Sequence, residues 1–546
     1  MGRGRGGGGD TRIVLTSLQQ QTRDVLDQMG ARGVVNVLYS MAKLDDSIKL
    51  VGIKDERAER ELLEAMQRRA TATAGEFIPQ AVANLLWALA KMGKKADREL
   101  LEAMQMRATA TAGEFIPRDV ANVLRALATM GEKADRGLLE AMQRRATATA
   151  GEFKPQDVAN LLSALERADR GLLEAMQRRA TATAGEFKPQ DVANLLWALA
   201  AMGERADRGL LEAMQKRATA TARELTPQDV ANVLWSLATM GEKADRGLLE
   251  AMQRRAMVTA GAFKRQEVAT LLWALATMGE RADEGLLEAM RRRATATAGE
   301  LVPKDVAILL WALATMGERA DRRLLESMQR RTSATAGEYT PKHALMVLWA
   351  LAVMGDEFDA SFDVLLNRMA ARVLELRDQA TEVEKCQLHQ WILSCELGLA
   401  SGASLPTGVA RVKQEMGEAC LQAFSRQATH ESQLLRDDVA AALRSTGLEV
   451  EIEVEYRDAR SGYSIDVLVR RPSAAGSTGG AVWAVEVDGP SHFLGGNRTP
   501  SGSTLLKRRQ LGQLGYTVVP VPFWEWAPLK DEEAKRRYLE DTLRTG

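Results

Sequence analysis

The chain has 546 residues, more than one hydrophobic core can organise, so two or more domains are expected. Lys plus Arg and Asp plus Glu each number 73, which excludes a broadly basic surface and leaves local patches or stacking to hold any polyanion. The hydrophobic fraction of 46% is ordinary for a globular protein, and no apolar run approaches the roughly 20 residues that cross a bilayer. Cys386, Cys395 and Cys420 have neither zinc-knuckle spacing nor an even count, so they read as free thiols in a reducing compartment.

Residues 1–30 open on MGRGRGGGGDTR, basic and glycine-rich. The segment lacks the apolar stretch of a secretory signal and is not amphipathic enough for a convincing transit peptide. It reads as a disordered tail, with weak RNA contact through its arginines as the alternative.

Residues 31–355 are repetitive. The opening proline recurs at Pro79, Pro117, Pro155, Pro189, Pro227, Pro303 and Pro341, with Arg265 in its place in the sixth copy. The spacing is 38 residues except from Pro155 to Pro189, where it is 34, the loss falling after Ser163-Ala164-Leu165. A degenerate copy, seen in Val34–Leu38 and Glu61–Met66, precedes these eight. Such a period predicts an α-solenoid of helix pairs. In the copy at Pro189 the proline suits a helix start, and Val192, Leu195, Leu196 and Leu199 form one apolar face. Gly203 closes this leading helix, and a trailing helix starts near Asp207 and runs through Leu210, Leu211 and Met214.

Stacking explains the repetition, so function has to come from residues the core does not use. With Val192–Leu199 at 0° on the wheel, Gln190, Asn194 and Ala201 fall at about 160–200° and Trp197 at about 140°. The same register holds Gln80 and Asn84, Arg118 and Asn122, Gln156 and Asn160, Gln228 and Asn232, and Gln266 with Thr270. It degrades to Lys304 with Ile308 and Lys342 with Met346. One amide per repeat suits reading a base edge, since an amide both donates and accepts; tolerated surface polarity is the alternative. Trp87, Trp197, Trp235, Trp273, Trp311 and Trp349 share another register, and inter-repeat packing is preferred for them over base stacking. Basic pairs such as Arg144-Arg145, Arg178-Arg179 and Lys216-Arg217 could follow a phosphate backbone or line a solvated edge.

A 38-residue helix pair opening at proline, with LLWALA in its first helix and LL-x-AM in its second, resembles the octotricopeptide repeat. That resemblance implies sequence-specific RNA binding in mitochondria or chloroplasts. The unusual uniformity of the copies points to a low-complexity target or recent duplication.

From 356 to 447 the period stops while helical patterns persist, as in 362–377, 383–396 and 432–445, with a loop at Ser401–Pro406. This reads as a helical connector that caps the solenoid, in which His389 and His430 lack ligand partners. Residues 448–540 then read as a small α/β domain. Strands are expected at Glu449–Tyr456, Tyr463–Arg470, Ala481–Asp488 and Tyr516–Val521, a hairpin loop at Pro472–Gly480, a helix at Leu505–Leu514 and another from Asp531. The DGPSHF turn followed by LLKRRQLGQLGYTVVPVPFWEW resembles the RAP domain. Helical repeats followed by this module are similar to the FAST-kinase-domain organisation of mitochondrial RNA regulators, although no kinase glycine loop or catalytic-loop signature is present.

The RAP resemblance implies a restriction-endonuclease-like frame, on which Asp466, Glu486 and Asp488, with His492 and Lys507 nearby, are the candidate catalytic and metal-binding residues. The E-x-K ending of many such nucleases is Glu486-Val487-Asp488 here, without the lysine. A non-catalytic binding domain using His492, Phe493, Lys507, Arg508, Trp524 and Trp526 is therefore preferred over metal-dependent RNA cleavage. The expectation is an organellar RNA-binding protein acting in RNA processing, mRNA stability or ribosomal-RNA maturation, mitochondrial or alternatively chloroplastic. Its expected partners are single-stranded RNA and ribonucleoprotein-granule or ribosomal components, with no membrane, no small-molecule substrate and no cofactor; Mg²⁺ enters only if the domain is an endoribonuclease. A protein-interaction scaffold is the third reading.

Overall fold

The computed structural model describes residues 17, 20–51, 56–355, 360–398, 404–426, 433–471, 481–495 and 498–545. Most of the expected tail, much of the Ser401–Pro406 loop, the Pro472–Gly480 loop and His430 lie outside them. The chain divides into two compact units, residues 1–240 with 244–252, and residues 241–243 with 253–546.

In the first unit, helices Ala31–Val51 and Glu56–Ala72 are followed by leading helices at Pro79–Lys91, Pro117–Met130, Pro155–Ser163, Pro189–Ala201 and Pro227–Met240. Trailing helices at Arg98–Ala110, Arg136–Ala148, Arg170–Ala182 and Arg208–Ala220 alternate with them. Leading helix packs on leading helix and trailing on trailing, in two layers. The expected apolar face is the core: Val192, Leu195, Leu196 and Leu199 are all 0% exposed. Proline opens each leading helix because a first-turn residue needs no N–H. Gly203 ends one with φ of 74°, where a Cβ would be strained. Asp207 caps the following trailing helix by accepting from the Leu210 amide.

Two hydrogen bonds clasp each trailing helix to the next. The buried Gln67, Gln105, Gln143, Gln177 and Gln215 accept through Oε1 from the backbone amides of Asp97, Asp135, Asp169, Asp207 and Asp245, at 2.6–2.9 Å. Arg107, Arg145, Arg179 and Arg217 donate through Nε to the carbonyls of Phe77, Phe115, Phe153 and Phe187, at 2.6–2.7 Å. The second member of each basic pair is thus spent on the scaffold, whereas Arg144, Arg178 and Lys216, the first members, remain exposed.

The second unit continues with leading helices Arg265–Thr277, Pro303–Thr315 and Pro341–Met354 and trailing helices Glu284–Ala296, Arg322–Ala334 and Ala360–Val373. The layering outlasts the sequence repeat. Helix Glu382–Leu397 packs on Pro341–Met354 as a further leading helix would, and Thr407–Ser425 packs on Ala360–Val373 as a trailing one. Arg372 donates to the Tyr339 carbonyl at 2.9 Å, the arginine clasp again.

The C-terminal sheet has the order β1 (Glu451–Arg457), β2 (Ser464–Arg470), β3 (Val482–Asp488) and β4 (Thr517–Pro522). The first three are antiparallel; β3 and β4 are parallel, joined through helix Gly502–Gln513. Val467, Val485, Val487, Val519 and Val521 share one core with helices Gln433–Ser445 and Glu532–Thr545. Ile465, Leu468 and Ala484 share another with Leu511 and with Cys386, Leu393 and Phe424 of the preceding helices. The segment read as a connector therefore covers the sheet. His389 is buried there, its Nε2 2.6 Å from the Ser461 carbonyl, and fully buried Gln510 donates to the Gln390 carbonyl at 2.8 Å and Ser394 Oγ at 2.7 Å.

Gly495, Gly502, Leu505 and Arg509 of this domain lie across the glycine turns that end three successive leading helices. The Gly495 amide donates to the Gly279 carbonyl at 2.5 Å. Leu505 sits against Gly317, and Gly502 comes so close to the Ala314 carbonyl that any side chain there would collide with it. Arg509 seats against Gly355, donating to the carbonyls of Val353, at 2.8 Å, and Ala352.

Candidate nucleic-acid interface

A leading helix returns to the same face at positions 2, 6 and 9, so a stripe opposite the core is left uncovered. Position 2 is exposed in every copy: Gln80, Arg118, Gln156, Gln190, Gln228, Gln266, Lys304 and Lys342. Position 6 is half-buried at Asn84, Asn122, Asn194, Asn232 and Thr270, and Asn160 is 7% exposed. The Gln side chains thus have freedom that the Asn side chains, seated beside neighbouring helices, share only in part.

Position 9 completes the stripe. Trp87, Trp235, Trp273 and Trp311 are half-buried. Trp87 packs on Tyr39 of helix Ala31–Val51, ring centroids 5.0 Å apart, with Lys43 over its ring at 5.3 Å, as expected of an inter-repeat contact. Trp349 is 5% exposed and donates to Gln390 at 2.9 Å. Trp197 is 40% exposed. Arg125, in the same register, is exposed beside Arg118 on its helix. The wheel placed Trp197 beside the amides, and the structure puts tryptophans and amides on one stripe.

The C-terminal domain does bring its acids and bases together. Asp466 on β2 accepts from the Val487 amide at 2.8 Å. Glu486 and Asp488 on β3 are each 2% exposed. Lys507 pairs with Glu486, and Arg508 donates to Asp488 at 2.6 Å, both cations being carried by helix Gly502–Gln513. His492 Nδ1 lies 2.6 Å from the other Asp488 oxygen. Burial pushes the Glu486 carboxyl up to about 7, against the pull of Lys507. The hydrogen bond to Asp488 raises His492 despite burial. Burial opposes the charge on Lys507, but Glu486 and Asp466 outweigh it and the amine is raised.

As placed, these residues are engaged mainly with one another, although the second Glu486 oxygen is buried without a partner. Asp488 has both oxygens engaged, Glu486 has a lysine on one of its own, and Asp466 is tied to a backbone amide. Among the described residues no group of three or more His, Cys, Asp or Glu is arranged to hold a metal. Lys507 and Arg508, expected to meet RNA, have their charges turned inward. Phe493 remains half-exposed, 4.2 Å from Trp524 between ring centroids, with Arg498 over the Trp524 ring at 5.7 Å.

Two family models match the chain. Residues 48–283 match the family described as RNA-editing substrate-binding complex 6 protein. Residues 485–542, from β3 through the last helix, match the RAP domain. The chain carries a C-terminal RAP domain. A RAP domain-containing protein, chloroplastic, of Oryza sativa subsp. japonica is 32% identical over 106 residues, 19% of this chain and 14% of that protein. The mitochondrial FAST kinase domain-containing protein 5 of Macaca fascicularis is 41% identical over 69 residues, 13% of this chain and 8% of its own length. The Mus musculus protein of that name is 37% identical over 65 residues, 12% and 8% respectively. The chain thus spans a small part of the length of these relatives. Among the described residues no helix is long and apolar enough to cross a membrane.

Proposed function

We propose that this is an organellar RNA-binding protein that holds a single strand on the leading-helix stripe of its repeats and carries a RAP domain that binds without cleaving. One observation carries the reading: the buried glutamine and the second arginine of the repeats are consumed by the clasps, while position 2 keeps an amide or cation exposed in every copy and position 9 keeps an indole exposed or half-buried at Trp87, Trp197, Trp235, Trp273 and Trp311. Amides supply hydrogen-bond edges and indoles supply stacking, which together suit unpaired bases on a chain with no net positive charge. The family matched by the repeats is named for an RNA-editing substrate-binding complex, and the relatives of the RAP domain are named as chloroplastic or mitochondrial. RNA processing, mRNA stability or ribosomal-RNA maturation is the role that fits such a protein. In the RAP domain, cations already neutralise Glu486 and Asp488, which favours a structural use of these acids over hydrolysis.

The test is binding of the full chain to single-stranded RNA across a salt series. Binding should weaken as salt rises. Joint replacement of Asn194 and Asn232 by Ala should weaken binding about fivefold or more, the loss of one or two hydrogen bonds. Joint replacement of Arg205 and Arg208 should change it less. Equal losses would overturn base reading by this stripe, and absence of any salt-sensitive RNA binding would favour a protein scaffold.

A further inference from the structure

The 34-residue copy leaves a notch. Its leading helix, Pro155–Ser163, stops a turn early because the counterpart of Ala200-Ala201-Met202-Gly203 is missing between Leu165 and Glu166. The helices on either side, Pro117–Met130 and Pro189–Ala201, keep their full length. A cavity of about 330 Å³ fills the space, with Ala128 on one wall, Trp197, Ala201 and Met202 on the other, and Leu162 to Glu166 as floor.

Both walls register the missing turn. Ala128 is exposed, whereas its counterparts Ala200 and Ala238 are 5% and 7% exposed. Met202 is half-buried, whereas Met92, Met130 and Met240, at the same position, are 4–6% exposed. Trp197 is 40% exposed, while Trp87 and Trp235 of the same unit are half-buried. A turn of helix that elsewhere covers these side chains is absent here, and an indole face is left open at the middle of the polar stripe.

We infer that this notch is a nucleobase pocket, in which one unstacked base of the bound strand lies against Trp197. The inference rests on the RNA-binding reading above. The pocket is continuous with the stripe, since Gln190, Asn194 and Trp197 stand on one helix face. A planar base matches an indole wall backed by alanines, and stacking of this kind tolerates every base. The floor offers acceptors. The Ser163 hydroxyl donates to the Asn160 carbonyl at 3.1 Å and keeps its lone pairs, and the Leu161 and Leu162 carbonyls, which accept from the Ala164 and Leu165 amides at 3.2 Å, each retain a second lone pair. An edge bearing N–H groups is what such a floor receives. An apolar peptide side chain would leave those acceptors unmet.

Three variants of the full chain test it, with fluorescently labelled 20-nucleotide oligo(A), oligo(C) and oligo(U) as probes. Trp197→Ala should weaken the tightest of these about fivefold or more, the lower end of base–aromatic stacking. Trp197→Phe should retain most of the affinity. Inserting Ala-Ala-Met-Gly between Leu165 and Glu166 rebuilds the turn and should weaken binding like Trp197→Ala, with thermal unfolding confirming an intact fold. Trp235→Ala, at a covered site, should change binding less than Trp197→Ala. If the unmodified chain binds RNA and neither Trp197→Ala nor the insertion alters it, the pocket is wrong and the RNA reading stands. If the unmodified chain binds none of the three oligonucleotides, both fall together.

Discussion

The repeats and the RAP domain solve the same problem, the burial of polar groups, in opposite ways. In the repeats a single pair of contacts, one glutamine to a backbone amide and one arginine to a carbonyl, is copied at successive junctions. Each contact joins neighbours only, so its loss is local. In the RAP domain the buried polar contacts are unique, and several of them, through Arg509, Gln510 and Gly495, reach more than 100 residues back along the chain. The lesson is that redundancy protects the array while the C-terminal module concentrates its dependence in a few residues.

The largest effect should come from Gly502→Val. The new side chain meets the Ala314 carbonyl, a backbone atom that cannot swing aside, so a loss of about 2–4 kcal/mol is expected. Limited proteolysis should show the RAP domain released from the last repeats; unchanged cleavage and melting would break the contrast at its strongest point.

A middle-sized effect is expected from pH. The folded Glu486 carboxyl sits at about 7 against an ordinary 4.5, so it holds a proton that the unfolded chain releases. Its contribution to stability is complete below pH 4.5 and is lost as pH rises through 7. His492, also raised, adds a loss of the same sign above its ordinary 6.5. Asp438 and Asp458 are lowered and act in the opposite direction, but only as pH falls below 3.8. Melting of the RAP domain should therefore decline from pH 5 to pH 8, and Glu486→Gln should flatten the profile. A rise with pH in the unmodified protein would refute this account.

The smallest effect should come from Gln177→Ala. It leaves the Asp207 amide without its acceptor and should cost about 1–2 kcal/mol, with the remaining clasps intact. A loss as large as that of Gly502→Val would mean that the array is not locally buffered.

Much of this was legible in the sequence, and the rest was hidden for physical reasons. Apolar spacing in Val192–Leu199, the opening prolines and the closing glycines dictated the helix pairs, and β-branched runs dictated the strands. The gathering of Asp466, Glu486, Asp488, His492 and Lys507 was implied by the RAP resemblance. What the spacing could not give was the partner of each polar group. Gln177 reads as the polar edge of a trailing helix, and only the next repeat reveals that it accepts from Asp207; its recurrence at Gln67, Gln105, Gln143, Gln215 and Gln253 was the available signal. The continued layering of 382–397 and 407–425 left no periodic trace, because packing requires an apolar face and not a particular spelling. Nor could charge counting show that Lys507 and Arg508 face inward, since their partners lie about 20 residues earlier, on strand β3.

The clasps have a consequence for how such a protein changes over generations. Because the same clasp recurs from Gln67 to Gln253, those copies can be joined to one another, and whole copies can be gained or lost among them by unequal recombination without a new junction having to be invented. That freedom ends at Gly279, Gly317 and Gly355, where the RAP domain rests on three consecutive turns at fixed spacing. Growth of the array is thus open upstream of those turns and closed within them.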